Sequence, residues 1–135
     1  MASYGLPITT ELAKKLAAAA LAEARANNWA MAAAVVDPGG ILVYFEKIDD
    51  TQNASPRIAI DKARSAAMFK RPTKTFQDSV ERGGVGLRVM MLRGASAVEG
   101  GVPIIVDGRI IGGLGVSGGT SEQDGQCCKA ALEAL

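Results

Sequence analysis

The stretch Val102-Pro103-Ile104-Ile105-Val106-Asp107-Gly108-Arg109-Ile110-Ile111-Gly112-Gly113-Leu114-Gly115-Val116-Ser117-Gly118 decides how the chain folds. Asp107-Gly108 between two apolar runs is a two-residue hairpin signal, because the favoured turn needs positive φ at its centre and this pair tolerates it. Antiparallel strands are therefore expected over residues 102–106 and 109–117. The same stretch formally contains G-x-G-x-x-G from Gly113 to Gly118. A dinucleotide reading is rejected, because these glycines begin inside a strand and no second βαβ half or ribose-holding acid follows at the required distance. Alternation gives the better account. Ile110, Gly112, Leu114 and Val116 share one face, while Ile111, Gly113, Gly115 and Ser117 share the other. The second face is a strip almost free of side chains, which admits either a closely packed helix or a ligand.

Outward from this hairpin, Glu99-Gly100-Gly101 before Pro103 reads as a tight turn, and a further short strand is expected to end at Val98. Residues 83–86 are broken by Gly83, Gly84 and Gly86, and residues 87–92 are ambiguous between strand and loop. Ser55-Pro56 forms a helix start, with Ser as cap and Pro at the first helical position. The apolar stripe Ile58, Ala59, Ala63, Ala66 and Ala67 then runs to a stop near Arg71-Pro72, and a second short helix is expected over residues 73–81. Asp37-Pro38-Gly39-Gly40 joins apolar runs over residues 30–36 and 41–47 as a hairpin, with positive φ expected at Gly39. Bulky groups on both faces of its second strand imply a sheet covered on both sides. Thr9 or Thr10 caps a first helix through Leu12, Leu16, Ala20 and Ala24, ending near Asn27-Asn28. Thr120 or Ser121 caps a last one carrying Cys128, Ala131, Leu132 and Leu135 on one face. The order is helix, hairpin, one or two helices, three antiparallel strands, helix. This suits a single α+β domain over residues 1–135, one antiparallel sheet with helices packed on it.

Composition narrows the chemistry. With 135 residues and 48% hydrophobic content the chain can bury one core. Fifteen Lys and Arg against 14 Asp and Glu, without a basic run, argue against nucleic acid as a partner. The absence of His excludes a His-based triad, a zincin site and a His-ligated haem. The only cysteines, Cys127 and Cys128, are adjacent, so they neither staple distant segments nor make a metal site. Residues 1–10 lack the basic and apolar regions of a secretion signal, and no window is long enough to span a bilayer. A cytoplasmic protein with no membrane or metal partner is expected.

Several residues are candidates for chemistry, each beside a plainer role. Lys62 lies within the apolar stripe of its helix, so it either snorkels, pairs with a carboxylate, or offers a pocket ammonium to an acid. Glu99 is either a surface turn charge or a carboxylate that orients a ligand. Ser117, Gly118, Gly119 and Thr120 link a strand to a helix, and their amides suit either an anion or an ordinary cap. Glu122 and Asp124 already complement the dipole there. Cys128 shares an apolar face as a small hydrophobe, and neither thiol has a His to activate it.

The motifs Asp37-Pro38-Gly39-Gly40, Asp61-Lys62-Ala63-Arg64 with Phe69 and Arg71-Pro72-Thr73, Glu99-Gly100-Gly101-Val102-Pro103-Ile104, and Gly112 to Gly118 with Glu122-Gln123-Asp124 resemble the GlcG/HbpS type of haem-binding or "haem-degrading" domain. The same domain closes PduO-type cobalamin adenosyltransferases. The resemblance covers nearly the whole chain in order. It implies a profilin-like fold, a five-stranded antiparallel sheet with helices on both faces, and a homo-oligomer. It also implies a small-molecule pocket formed by Lys62, Phe69, Glu99, Gly100, Gly101, Ser117, Gly118, Gly119 and Thr120. The expected function is small-molecule binding in a catabolic pathway, with haem as candidate ligand. Without His, its iron would have to take Thr, Tyr, Lys, Met or Cys. An alternative is an isomerase, hydratase or dehalogenase in which Lys62 fixes a small organic acid and Glu99 or Asp124 moves a proton. Another is a structural accessory subunit. Residues 83–94 differ from the family's shorter link and are expected to reshape the pocket entrance.

Overall fold

The structure, a computed structural model, describes residues 1–135. It is an α+β arrangement in the order β1 (Ser3–Tyr4), α1 (Thr10–Ala26), β2 (Ala32–Val36), β3 (Leu42–Lys47), α2 (Ser55–Phe69), α3 (Thr73–Arg82), a 3₁₀ segment (Gly84–Met91), β4 (Gly101–Val106), β5 (Arg109–Ser117) and α4 (Ser121–Leu132). β5 is the hub of the sheet. It pairs antiparallel with β4 on one edge and with β2 on the other, and β2 carries β3 outward. Arg109 and Ile110 pair with β4 and also with Ser3 and Tyr4, so β1 lies on the same edge of β5 as β2.

That pairing corrects one expectation. β1 runs parallel to β5, so the five-stranded sheet is mixed rather than purely antiparallel. A two-residue strand has no alternation to read, and it is held by long-range pairing alone. The strand expected to end at Val98 does not form. Amides on either side of Val98 are taken by side chains instead: Ser96 N donates to Ser65 Oγ (3.0 Å) and Glu99 N to Gln77 Oε1 (2.7 Å). Most of the stretch 87–92, ambiguous between strand and loop in the sequence, falls in the 3₁₀ segment Gly84–Met91.

The caps follow their chemistry. Thr9 Oγ1 accepts from Leu12 N (3.2 Å), and Thr120 and Gln123 form a reciprocal capping box on α4. Ser55 is the first residue of α2 rather than its cap, and its hydroxyl accepts from Gln52 Nε2 nearby and from Ser117 Oγ across the fold. In the β2–β3 turn, Asp37 Oδ1 accepts from Gly39 N and Ile41 N. Positive φ falls on Gly40 (82°), one residue later than expected.

Helices cover both faces of the sheet. One layer buries Leu16, Ala20 and Leu21 of α1 and Cys127, Cys128 and Ala131 of α4 against Ala33, Val35, Leu114 and Val116. The other buries Ala59, Ala63 and Ala67 of α2 against Ala32, Ala34 and Val36. The nearly bare strip on β5 receives α2: a Cβ on Gly113 would strike the Ala63 carbonyl oxygen, and one on Gly115 the Ala59 carbonyl oxygen. Leu135, expected on the buried face of the last helix, lies beyond the end of α4 and is exposed.

Gly115→Ala is expected to force α2 off the sheet and destabilise the protein by about 1–3 kcal/mol, the usual cost of overpacking. Gly39→Ala, whose added Cβ meets only Asp37 Oδ1 at 3.4 Å, is expected to stay within about 0.5 kcal/mol of the parent. Urea midpoints of the two variants check this, and equal midpoints would remove the close-approach account.

Candidate functional site

Lys62 faces the sheet from α2, among Ala59, Ala63 and Ala66, and its side chain runs past the start of β4 rather than out to solvent. Only 1% of the residue is accessible. Its Nζ donates to Asp124 Oδ2 of α4 at 2.8 Å and to the Val116 carbonyl of β5 at 3.1 Å. Asp124 Oδ1 accepts from Gly119 N at 3.0 Å. Gly100 closes the arrangement from the turn before β4. Its carbonyl accepts from Val116 N (2.8 Å) and Cys128 Sγ (3.1 Å). At φ 128°, a Cβ there would sit 2.7 Å from Lys62 Nζ. Gly101 N donates to the buried Thr73 Oγ1 (2.9 Å), and a Cβ on Gly101 would collide with the Lys62 carbonyl.

The structure thus gathers Lys62, Gly100, Gly101, Gly119 and Asp124 into one buried knot. Glu99 lies beside it with its carboxylate against Gly125 of α4. Ser117 is buried on the α2 side, where its hydroxyl donates to Ser55 Oγ (3.2 Å). Gly118 packs on Ala30 and Met31, and Thr120 is spent as the α4 cap. The amides that suited an incoming anion are taken internally, Gly119 N by Asp124 and Thr120 N by Gln123 Oε1 at 3.0 Å. No buried side-chain polar atom is left without a partner.

Burial pushes the Asp124 carboxyl above its ordinary value, against the pull of Lys62 and of the Gly119 and Gly118 amides. Burial, with the charges of Asp124 and Glu23 adding to it, pushes the Cys127 thiol up to about 12. The Cys128 thiol is pushed up by burial as well. Both sulfurs are therefore protonated packing groups at neutral pH.

Phe69 stands apart from the knot, two helical turns further along α2, with its ring edge-on to Phe76 at 5.2 Å. It lines an open cleft of about 310 Å³ with Arg64, Met68, Arg93 and Gly94. An adjoining hollow of about 260 Å³, lined by Asp61, Arg64, Gly94, Ala95 and Ser96, shares Arg64 and Gly94 with it. The two make one groove between the outer face of α2 and residues 93–96. Arg64 is anchored by donating from Nη1 to the Gly40 carbonyl (2.9 Å). None of Lys62, Glu99 or residues 117–120 lines this groove. In the sequence Arg64 stands out only within the motif Asp61-Lys62-Ala63-Arg64, and Met68 and Arg93 carry no signal of their own. The i, i+4 spacing of Arg64 and Met68 was available, since it places both on one helix face. Arg93 reaches them only through tertiary folding. A third cleft, about 270 Å³, lies at Arg25, Asn28, Trp29, Ala30 and Ile48.

Comparison with known proteins agrees with the α+β fold. A family described as haem degrading protein, HbpS-like, matches residues 8–133. Protein GlcG of Escherichia coli K12 is 40% identical over 110 residues, covering 82% of this chain and 81% of that one. The crystal structure of Klebsiella pneumoniae protein ORFY superposes with a TM-score of 0.87 at 33% identity, covering 98% of this chain and 92% of the other. A PduOC:heme complex superposes with a TM-score of 0.86 at 28% identity, covering 96% of each chain. No helix is long and apolar enough to cross a membrane.

Lys62→Met is expected to cost about 3–5 kcal/mol, because it strands a buried carboxylate. Lys62→Met combined with Asp124→Leu is expected to lose clearly less than the two single variants added together. A denaturation cycle over the four proteins measures the coupling, and additive losses would show that the pair is not the energetic unit described.

Proposed function

The chain belongs to the HbpS-like haem-degrading family, and from that membership and the groove beside Phe69 we propose that it binds haem or a related flat, acidic small molecule. The observation that carries the reading is the convergence of Arg64 and Arg93 on a cleft floored by Phe69 and Met68. The donor set fits the ligand. A macrocycle needs apolar and aromatic surface for its faces and cations for its carboxylates, and guanidinium groups bind carboxylates with directed, charge-assisted hydrogen bonds. When bound, haem would supply one-electron chemistry at its iron.

In this proposal Arg64 and Arg93 hold the acidic groups and Phe69 packs on the ring. The knot of Lys62, Asp124 and the turn Glu99-Gly100-Gly101, with the link Ser117-Gly118-Gly119-Thr120, sets where α2 stands and so where the groove opens. The PduOC:heme complex supports haem as the candidate, being a complex of a chain alike over its full length. The proposal extends to a profilin-like layering, to service in a catabolic pathway and to a homo-oligomer. The outward Val85, Leu87, Met90 and Met91 of the 3₁₀ segment offer apolar surface for self-association. Sedimentation of the purified protein tests that last element, and a monomer at every concentration would remove it.

Titration with haemin is expected to give a saturable, stoichiometric change in the Soret absorbance that albumin controls do not reproduce. Replacing Arg64 and Arg93 together by Ala is expected to weaken binding at least about tenfold, since each hydrogen bond to a charged group is worth about 1.5–3 kcal/mol. Binding that never saturates, or that ignores the loss of both arginines, would falsify the assignment.

A further inference from the structure

We infer that Met68 is the axial ligand to haem iron in this groove, through its thioether sulfur. The inference rests on the binding reading above and adds the metal contact. The chain contains no His. No Thr, Tyr, Lys or Cys side chain lines the groove, and several of these donors are held elsewhere. Both thiols are buried: Cys128 Sγ donates to the Gly100 carbonyl, and Cys127 Sγ lies 3.6 Å from Met31 Sδ. Lys62 Nζ is held in the knot. The phenols are engaged, Tyr4 Oη donating to the Ala67 carbonyl (2.8 Å) and Tyr44 Oη to Glu46 Oε1 (2.7 Å). Met31 is in the core, and Met1, Met90 and Met91 lie on open surface outside every cleft.

Met68 is the one sulfur-bearing side chain that lines a cleft, and half of it is exposed (50%). It projects from the same face of α2 as Arg64, one turn on, so sulfur and guanidinium reach the groove side by side. Both side chains lie against Gly40. A Cβ at this position would lie 3.4 Å from Met68 Sδ and 3.6 Å from Arg64 Cζ. A neutral, polarisable thioether stabilises the softer, reduced metal state, and Met ligation raises haem reduction potential. Ferrous haem should therefore bind more tightly than ferric haem, and the difference should depend on Met68.

The test is iron-edge X-ray absorption on the haem-loaded protein, with haem affinities measured with and without dithionite, for the parent and for Met68→Leu. Leu keeps the volume and removes the sulfur. The parent is expected to show one sulfur scatterer bound to iron and a ferrous preference of about tenfold or more, in line with thioether ligation. Met68→Leu is expected to lose both while still binding haem saturably through the arginines. A parent without an iron–sulfur scatterer, or a Leu variant that keeps it, overturns the inference and leaves the binding reading standing. A parent that fails to bind haem saturably overturns both.

Discussion

A buried ion pair joins helices that lie on opposite faces of the sheet, and the rest of the architecture is arranged to permit it. Lys62 belongs to the α2 layer and Asp124 to the α4 layer, so their 2.8 Å contact is made around the start of β4. Taking both charges out of water costs several kcal/mol per ion, and their attraction offsets this only with good geometry and further hydrogen bonds. Those bonds are present. The Val116 carbonyl accepts from the ammonium, and the Gly119 amide donates to the second carboxylate oxygen. Gly100 is glycine because the ammonium occupies the space its Cβ would need.

The pair also presupposes how deeply α2 sits. The Lys62 side chain spans the sheet edge because α2 rests on the β5 backbone at Gly113 and Gly115, where any side chain would intrude on helix carbonyls. The bare strip therefore serves packing, and the polar consequence appears one helical turn away. This depth fixes the outer face of the same helix too. Asp61, Arg64 and Met68, spaced at i, i+3 and i+7, turn away from the sheet toward residues 93–96. A change at Lys62 would reach a ligand in the groove through the position of α2, with no direct contact.

Much of the fold was legible because local chemistry dictated it. Caps at Thr9 and Thr120, the Asp107-Gly108 turn, and Ala spacing on α2 each act within a few residues, and each matches the structure. Long-range satisfaction was not legible. β1 has two residues and exists because Ile110 has an open edge, while Ser96 and Glu99, on either side of Val98, find side-chain acceptors 31 and 22 residues away instead of a strand partner. The site followed the same rule. Helical periodicity put Lys62 beside apolar surface, the glycine turn singled out Glu99, and the first turn of the last helix singled out Asp124. It could not show that the sheet ends at Gly100, which lets Lys62 and Asp124 satisfy one another. Periodicity also cannot place Arg93, reached through a glycine-broken 3₁₀ segment, over a helix nearly thirty residues earlier in the chain.

The energetics of the two places differ in a way that bears on where a ligand acid would go. At the knot, an incoming carboxylate would have to replace Asp124 on Lys62 and the Gly119 amide, leaving the displaced Asp124 buried without its cation. The exchange forms no more charge-assisted bonds than it breaks. At the groove, Arg64 spends one N–H on the Gly40 carbonyl and keeps its others, and neither it nor Arg93 is paired with a carboxylate. An acid docking there gains hydrogen bonds to cations already held near solvent, with little new desolvation. The same residue types thus have opposite uses on the two faces of α2. Those facing the sheet are fully satisfied and set its position, and those facing outward retain capacity to bind.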